Sequence, residues 1–466
     1  MNSARFVFLS LFVLSVTAVA QNAIPFINLP LVPVSAEPSG KGFVLTVNGA
    51  GFVSGSTVNW NGQALATTFV SAIQLKATVP ASDISKPGTA SITVASPGVT
   101  SSNPVFFPVR LPSEEFKVQQ NSFGPPSGPV AVADFNGDGN LDFANLNIGE
   151  LEITLGHGDG TFEVDSFVFE NIGCDGGGLV TGDFNGDGIV DLAATCGTTT
   201  TVALGKGDGT FQTAFFTATS TSNNTLAAGD FNHDGKMDLV LGGVGANNVG
   251  EITVLLGKGD GTFEAPRYIP VNHSNQWGVT FVTTADINRD GNLDLAVISG
   301  NSGIDHELFI LLGKGDGSFQ VLPRLKGQVQ YTLALGDFNG DGNLDLAIPF
   351  ANKVFISLGN GDGTFGTPTG YKTAGSGFSG IQLGDFDGDG ILDIAVSANE
   401  YPGDSVISLL RGAGDGTFKA GLGFQSNLYV GNYLAAGDFN NDGKLDLLLS
   451  TSQDFGGANV FLQSSH

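Results

Sequence analysis

Short apolar runs, separated by glycine, proline, asparagine and aspartate, divide the chain into strands. Between residues 26 and 110 such runs occupy 43–47, 57–60, 73–79 and 90–94, and they are rich in β-branched residues. Short strands joined by glycine and proline turns are typical of an antiparallel sandwich. We therefore expect a small β-sandwich over residues 26–110.

The segment 113–466 repeats one unit of four strands. In one copy, apolar runs at 332–336, 344–349 and 353–358 are followed by a glycine-rich turn and a fourth run that starts at residue 364. Some second strands, such as 293–298, are apolar on both faces, as expected where a sheet packs between two neighbours. Four strands per repeat without a helical period predict the blade of a β-propeller, so the fold class is all-β.

An acidic loop of nine residues separates the first and second strands of each unit. The copy at 337–345 reads Asp-Phe-Asn-Gly-Asp-Gly-Asn-Leu-Asp, and related loops begin at Asp134, Asp183, Asp230, Asp286, Asp385 and Asp438. Neighbouring loops start 47 to 56 residues apart, and a nearly constant spacing indicates a repeat architecture. Seven copies predict a seven-bladed β-propeller, preceded by the small sandwich.

The spacing of oxygen atoms in these loops predicts calcium sites. Positions one, three, five and nine carry carboxylate or amide oxygens, position six is a glycine at a sharp bend, and position seven supplies a backbone carbonyl. We expect up to seven structural Ca²⁺ ions as cofactors. The predicted metal ligands, loop by loop, are Asp134, Asn136, Asp138, Asn140 and Asp142; Asp183, Asn185, Asp187, Ile189 and Asp191; Asp230, Asn232, Asp234, Lys236 and Asp238; Asp286, Asn288, Asp290, Asn292 and Asp294; Asp337, Asn339, Asp341, Asn343 and Asp345; Asp385, Asp387, Asp389, Ile391 and Asp393; Asp438, Asn440, Asp442, Lys444 and Asp446.

Two other interpretations of the acidic loops compete with calcium binding. EF-hands and dockerins need an acidic ligand at position twelve and a helix after it, but apolar residues or asparagine stand there, which argues against both. The loops could also be metal-free turns in which aspartate side chains bind the backbone. Three or more charges per loop would then repel one another, so we favour the metal.

A second motif, Leu-Gly-x-Gly-Asp-Gly-[Thr/Ser]-Phe, begins at Leu155, Leu204, Leu256, Leu312 and Leu358 and returns in a looser form at 410–418. It starts the fourth strand of each unit and is missing after the seventh loop. The segment near 115–120 resembles a fourth strand without a unit of its own. We therefore predict that it completes the last blade and closes the ring, which leaves no open sheet edge.

Composition and termini add expectations about compartment and partners. The net charge of −26 lies almost entirely after residue 112 and includes three carboxylates in each loop, or four in the sixth, so we expect no nucleic-acid partner. Residues 1–20 have the basic, apolar and small-residue regions of a signal peptide, and we expect a secreted, extracellular protein. We expect no membrane span, and a monomer, since a closed ring needs no second copy.

Both cysteines, Cys174 and Cys196, belong to the second unit. An even count in an exported chain favours a disulfide, although two buried thiols are the alternative. If strands alternate in direction, both cysteines fall near the ends of adjacent strands on one face, which is why we predict the bridge.

Two parts of the sequence resemble known families. Residues 49–52, Gly-Ala-Gly-Phe, and 58–62, Val-Asn-Trp-Asn-Gly, resemble the Ig-like IPT/TIG domain. The acidic loops with their flanking strands resemble the FG-GAP repeat, also called VCBS-type, of integrin α-subunit heads and many exported bacterial proteins. This resemblance implies Ca²⁺ in the hairpin between the first and second strands of each blade.

The loops differ from the family pattern at a few positions. Asp387 stands in place of asparagine at position three, Ile287 in place of phenylalanine at position two, and His233 and Arg289 in place of glycine at position four. We expect a bulky basic residue at position four to weaken the third and fourth sites.

Candidate ligand-binding residues gather on the predicted face opposite the calcium loops. The longest connections there, 268–278 and 299–307, bring together His273, Asn275, Trp277, Asp305 and His306. Tyrosine and tryptophan are frequent at recognition surfaces, because they combine apolar area with a hydrogen-bonding end. Packing between outer strands is the alternative role for the six tyrosines, which are Tyr268, Tyr331, Tyr371, Tyr401, Tyr429 and Tyr433.

Three functions fit this sequence. We rank first a non-enzymatic recognition or adhesion protein whose ligand is an extracellular glycan or protein, as the resemblance to integrin heads and propeller lectins implies. A purely structural surface module with calcium as a folding cofactor is second. A carbohydrate-active enzyme resembling propeller polysaccharide lyases is last, because only His273 and His306 could act as acid or base and no nucleophile motif accompanies them.

Overall fold

A computed structural model describes residues 22–110, 117–123, 128–147, 150–163, 167–169, 177–212, 215–245, 248–271, 278–300, 306–325, 329–399, 404–429, 431–451 and 458–464. In these ranges the regular structure is a succession of antiparallel strands. No helix among these residues is long and apolar enough to cross a bilayer. The predicted signal peptide, residues 1–20, lies outside the described residues.

The N-terminal unit consists of two four-stranded sheets packed face to face. Its strands are β1 (Phe26–Val32), β2 (Phe43–Ala50), β3 (Thr57–Trp60), β4 (Gln63–Ala64), β5 (Ala66–Ser71), β6 (Gln74–Val79), β7 (Gly88–Ala95) and β8 (Val105–Val109). The sheet orders are β1-β2-β6-β5 and β4-β3-β7-β8. Alternate residues of β2, β3, β6, β7 and β8 enter one core, where Trp60 packs against Phe107 with ring centroids 5.3 Å apart. We call this unit the sandwich.

The remaining strands form the repeats. They are β9 (Lys117–Phe123), β10 (Val130–Ala133), β11 (Asp142–Asn147), β12 (Glu150–Thr154), β13 (Phe167–Phe169), β14 (Leu179–Gly182), β15 (Asp191–Ala203), β16 (Phe215–Gly229), β17 (Asp238–Val244), β18 (Gly250–Leu255), β19 (Arg267–Pro270), β20 (Gly278–Ala285), β21 (Asp294–Gly300), β22 (His306–Gly313), β23 (Phe319–Val321), β24 (Ala334–Gly336), β25 (Asp345–Phe350), β26 (Lys353–Ser357), β27 (Thr369–Lys372), β28 (Ser376–Gly384), β29 (Asp393–Asn399), β30 (Asp404–Gly412), β31 (Phe418–Tyr429), β32 (Gly431–Gly437), β33 (Asp446–Thr451) and β34 (Ala458–Ser464).

All seven acidic loops have the same place in this arrangement. Each connects an inner strand to the next strand of an antiparallel hairpin, and the last aspartate of each loop is the first residue of that second strand. The residue before the loop pairs with this aspartate in all seven hairpins, for example Ala133 with Asp142 and Gly437 with Asp446. The hydrophobic pattern therefore predicted the repeated unit correctly.

Over the described residues, the strands after β8 form six sheets. Five have four strands, and the sixth, β14-β15-β16-β17-β18-β19, carries two of the seven acidic loops. In this sheet β16 is long, because its first part pairs with β15 and its second part pairs with β17. The all-β, propeller-like architecture is confirmed, whereas the number of blades stays a prediction.

The inner strands follow one another around a circle. Strand β10 lies against both β14 and β32, which belong to the second and the last units. The last sheet, β32-β33-β34-β9, takes its fourth strand from the segment in front of the repeats. Residues Lys117–Phe123 pair with Ala458–Ser464, so the strand expected near 115–120 extends to residue 123.

Phenylalanines at position two of the loops pack between neighbouring units. Phe231 of the third loop contacts Phe319 of the next unit edge to face, with ring centroids 5.7 Å apart. Equivalent pairs join Phe135 to Phe211, Phe184 to Phe263, Phe338 to Phe418 and Phe439 to Phe162. Each of these buried rings thus lies in the loop of one repeat and packs against the next repeat.

Candidate functional site

The first aspartate of each loop organises the backbone of its own turn. In the first loop, Asp134 Oδ1 accepts hydrogen bonds from the N–H groups of Gly137 and Asp138, and Oδ2 accepts one from Gly139. Asp183 and Asp337 accept the same set in the second and fifth loops. The backbone donors therefore hold this carboxylate at the centre of the loop.

The last aspartate of each loop is buried and joins two parts of the unit. Asp142 is 0% exposed, and its Oδ2 accepts from Phe135 N while its Oδ1 accepts from Gly156 N, both at 2.8 Å. Gly156 is the first glycine of the second motif. The same glycine donates in the next five units, and Gln463 N takes its place for Asp446 in the seventh.

The first glycine of the second motif lies against the backbone of the acidic hairpin, where a side chain has no room. A Cβ on Gly156 would be 2.2 Å from the Leu141 carbonyl oxygen, and one on Gly359 would be 2.1 Å from the Leu344 oxygen. Any side chain here would push the strand away from the closing aspartate. The motif that the sequence singled out is therefore the second half of the acidic site.

Burial raises the pKa of the closing aspartates, because removal from water disfavours the charged carboxylate. Neighbouring carboxylates of the same loop raise this pKa further. Hydrogen bonds from backbone N–H groups lower it, but not enough to offset burial. The pKa is raised to about 6 for Asp142 and Asp345, to about 7 for Asp191 and Asp294, to about 8 for Asp238, and well above the usual value for Asp393 and Asp446.

The donor set fits a hard divalent cation. A carboxylate oxygen that accepts one backbone hydrogen bond retains a lone pair for a metal, and oxygen-only sets suit Ca²⁺. In the sixth loop, ligand atoms of Asp385, Asp387 and Asp393 lie within 4.8 Å of one another and all three residues are buried. A cation between them would offset the repulsion from the neighbouring carboxylates that, together with burial, raises the pKa of Asp393.

The side chains at position four of three loops contact the next loop. His233 and Arg289 have φ near +60°, and so does Asn441, a third departure from glycine that the sequence analysis did not single out. His233 Nε2 lies 2.7 Å from Asn292 Oδ1 in the fourth loop, and Asn441 Nδ2 donates to Asn140 Oδ1 in the first. These side chains extend to position seven of the next loop.

Arg289 also extends toward the next loop rather than into its own acidic cluster. Its Nη1 lies 3.2 Å from the place where a Cβ on Gly342 would be, in the fifth loop. Weaker third and fourth sites remain a prediction, but the geometry gives these residues a second role as links between loops.

The sandwich lies on the acidic-loop side of the repeats. Ile24 N donates to Asp230 Oδ2 at 2.8 Å, Asn28 hydrogen-bonds the backbone of Asp286, and Arg110 forms an ion pair with Asp385. Neither the composition nor the spacing of the sequence indicated this contact.

The predicted ligand-binding residues separate into three groups. His273, Asn275, Trp277, Asp305 and Tyr401 lie outside the described residues. Tyr331 is 44% exposed and packs edge to face on His306, with centroids 5.0 Å apart, at the end of β22 opposite the acidic loops.

The other described tyrosines lie within outer or inner strands of the sheets. Tyr371, Tyr429 and Tyr433 pair with residues near the same opposite end of their sheets, and Tyr371 packs against Phe418. Burial raises the pKa of Tyr433. Tyr268 pairs with Thr253 in the middle of an outer strand and is 40% exposed.

The predicted disulfide stays a prediction. Cys174 and the side chain of Cys196 lie outside the described part of the chain; the backbone of Cys196 belongs to β15.

Three comparisons relate this geometry to known proteins. The model of the FG-GAP-like repeat matches residues 134–194, 183–241, 244–297, 286–348, 337–396 and 385–449, and that of the IPT/TIG domain matches residues 29–109. No curated protein sequence matches the chain.

Solved structures resemble it at low identity. BBS1N in complex with ARL6DN is 12% identical, with 76% of this chain and 98% of that chain covered and a TM-score of 0.51. A lectin from Agrocybe aegerita, described as recognising non-reducing terminal N-acetylglucosamine, is 17% identical, with 79% and 96% covered and a TM-score of 0.47. An auxiliary nutrient binding protein from Bacteroides ovatus is 11% identical, with 95% and 98% covered and a TM-score of 0.39.

Identities this low concern the fold alone. The repeat model, in contrast, matches more than half of the chain and begins, in five of its six matches, at the first aspartate of an acidic loop. The chain therefore belongs to the FG-GAP-like repeat proteins and carries an IPT/TIG domain before its repeats.

Proposed function

We propose that the protein is an exported calcium-binding recognition module that acts without catalysis. Its ligand, an extracellular glycan or protein, binds on the face opposite the acidic loops. The repeat family and the propeller-like architecture fit a binding module. The seven Ca²⁺ ions would be structural, because the carboxylates that hold them also hold the hairpins together.

One observation favours the opposite face for the ligand. Tyr331 presents nearly half of its surface to solvent there and is fixed from behind by His306, which is only 8% exposed. A rigid aromatic side chain that needs little ordering on binding is a frequent anchor of recognition surfaces. The acidic-loop side, in contrast, is partly covered by the sandwich.

A glycan array and a screen of extracellular matrix proteins, both with the calcium-loaded protein, test this proposal. We expect saturable binding that Tyr331→Ala weakens by on the order of tenfold or more, as loss of an aromatic anchor does. Tyr268→Ala is the matched control, because Tyr268 has similar exposure but lies in the middle of an outer strand.

Equal losses in the two variants would contradict the assigned face. Absence of any ligand would favour a structural module, and release of product from a polysaccharide would show an enzyme.

A further inference from the structure

The fifth unit carries two lysines directly across from each other at its edge on the face opposite the acidic loops. Lys353 in β26 pairs with Lys372 in β27, and on its other side it pairs with Phe350, the last residue of β25. The β25–β26 turn lies at the end of β25 away from Asp345, the closing aspartate of the acidic loop. Cross-strand neighbours have Cβ atoms about 4.5–5.5 Å apart, so both ammonium groups can reach a single anion.

Neither lysine is neutralised by a carboxylate within the described part of the chain. The basic residues that form ion pairs there are Arg110, Lys236, Arg267, Arg324 and Arg411. Like charges directly across from each other destabilise a sheet. The chain has 45 acidic residues against 19 lysines and arginines, so a pair of lysines without an acidic partner stands out.

Aromatic rings lie beside the lysines on the same side of the sheet. Lys353 Nζ lies 5.9 Å from the centroid of the Phe355 ring, which is 6.5 Å from the centroid of the Phe350 ring. Phe355 pairs with Gly370, where a Cβ would be 2.9 Å from Phe355 Cε1 and 3.0 Å from Lys353 Cδ. The glycine therefore leaves a recess beside the partly exposed ring and the ammonium group.

This side of the sheet faces the fourth unit. Ile348, the partner of Phe355 in β25, packs in one core with Ile310 of the fourth unit. Tyr331 contacts the same neighbour through His306. The exposed tyrosine of the proposed ligand surface and the pair of lysines therefore lie along one junction between two units.

The acidic loop of this unit lies at the other end of the sheet. Exposed loop carboxylates such as Asp341 lie beyond the start of β25, which spans about 16 Å from Asp345 to Phe350. This distance is about twice the Debye length at physiological ionic strength, so salt screens these carboxylates from the lysines. Two neighbouring ammonium groups can therefore attract an anion although the chain as a whole is acidic.

We propose that Tyr331, Lys353, Phe355 and Lys372 form a binding site for an acidic glycan that carries carboxylate or sulfate groups. The inference rests on the proposed function, because it names the chemistry of the ligand on that face. The two lysines donate charge-assisted hydrogen bonds to one acidic group, and the aromatic rings offer apolar surface to the sugar beside it. A charged sugar presents an acidic group and an apolar C–H face on one rigid ring, which matches ammonium groups beside aromatic rings.

An array of carboxylated and sulfated oligosaccharides, each printed beside an uncharged counterpart, tests the proposal with the calcium-loaded full chain. Oligogalacturonate and its methyl ester are one such pair, because the ester removes the charge and keeps the sugar chain. We expect a charged member to bind about tenfold or more tightly than its counterpart, and the binding to weaken as salt is raised. Equal binding of charged and uncharged members would overturn the proposal.

Two double variants locate the site. Lys353→Gln combined with Lys372→Gln should weaken binding of the charged glycan by about tenfold or more. Lys206→Gln combined with Lys314→Gln is the matched control, because it removes two charges from exposed turns on the acidic-loop side. Unchanged binding in the first variant, or equal losses in both, would overturn the proposed site.

Lys372→Glu separates loss of the site from loss of the fold. It should abolish binding of the charged glycan without lowering the melting temperature, since it replaces a like-charge pair with an opposite one. Binding of neutral glycans only, or of a matrix protein only, would overturn the acidic glycan and leave recognition on this face in place. Absence of any ligand would overturn the proposed function as well, so the two failures are distinguishable.

Discussion

At the scale of single residues, each acidic loop combines a fixed backbone with carboxylates that resist ionisation. The first aspartate accepts backbone donors of its own turn, and the last accepts one donor from the loop and one from the second motif. Burial raises the pKa of the closing aspartates up to about 8 for Asp238. In the metal-free loops at neutral pH, the ionised carboxylates are therefore buried close together and repel one another. A divalent cation would offset this repulsion.

The raised pKa values of the closing aspartates predict that the metal-free protein becomes less stable as pH rises. In the metal-free protein the folded pKa values lie above the unfolded value, so folded carboxyls retain protons that unfolded ones lose. Stability should be highest below about pH 4 as far as these groups are concerned, and should fall as pH rises through about 6 to 8. Thermal unfolding in excess chelator, followed from pH 5 to pH 8, measures this fall.

Calcium should reverse the trend, because it binds the ionised form. The rise in Tm on adding Ca²⁺ should be larger at pH 8 than at pH 5. Asp238→Asn should flatten the metal-free slope, whereas Asp260→Asn, in the exposed turn of the same unit, should not. A chelator-insensitive melting curve at every pH would contradict the metal assignment.

At the scale of elements, neighbouring units are joined by the loops themselves. The position-two phenylalanine of one loop packs edge to face against the fourth-strand phenylalanine of the next unit. Backbone hydrogen bonds follow the same path, for instance from Gly317 N to Phe231 O at 2.9 Å. The acidic hairpin, which is the proposed metal site, is therefore also the contact between sheets.

A double-mutant cycle on Phe231 and Phe319 measures this contact. Each change to leucine should destabilise the protein, and the pair should show a coupling energy of about 0.5–1.5 kcal/mol, as edge-to-face aromatic pairs do. The measurement is the denaturant midpoint in calcium. Phe231→Leu combined with Phe418→Leu, which lie in different interfaces, should be additive; equal coupling in both cycles would contradict a local contact.

At the scale of the whole molecule, the chain closes on itself through β9 and β34. Seven residue pairs join Lys117–Phe123 to Ala458–Ser464, so the last sheet is completed from in front of the first repeat. The closing strand removes the open edge that the last sheet would otherwise present.

Truncation tests the closure. A chain that begins at residue 111 lacks the sandwich but retains β9, whereas one that begins at residue 128 lacks both. We expect the shorter chain to unfold at lower denaturant and to aggregate, because the edge of β34 is then unpaired. Equal denaturant midpoints and equal solubility would show that β9 contributes nothing to closure.

The sequence by itself determined the repeated hairpin and the oxygen-bearing residues of its loop. Oxygen-bearing residues at fixed spacing, glycine at the bend and apolar runs on both sides are local signals, so the seven loops, the second motif and the fourth strand supplied from residues before the repeats could be predicted. The positions of Asp142 and Gly156 in one site also follow from this repetition, once the hairpin is formed.

Only the tertiary structure decided which acidic loops the sandwich contacts and which side chains link one loop to the next. Arg110 and Asp385 are 275 residues apart, and Asn441 and Asn140 are 301 apart, so no local pattern could bring them together. Their contacts depend on how a closed ring and a separate sandwich approach each other in space. Loops that all begin with aspartate thereby differ in the burial of that residue, because its exposure is set by packing against the rest of the chain.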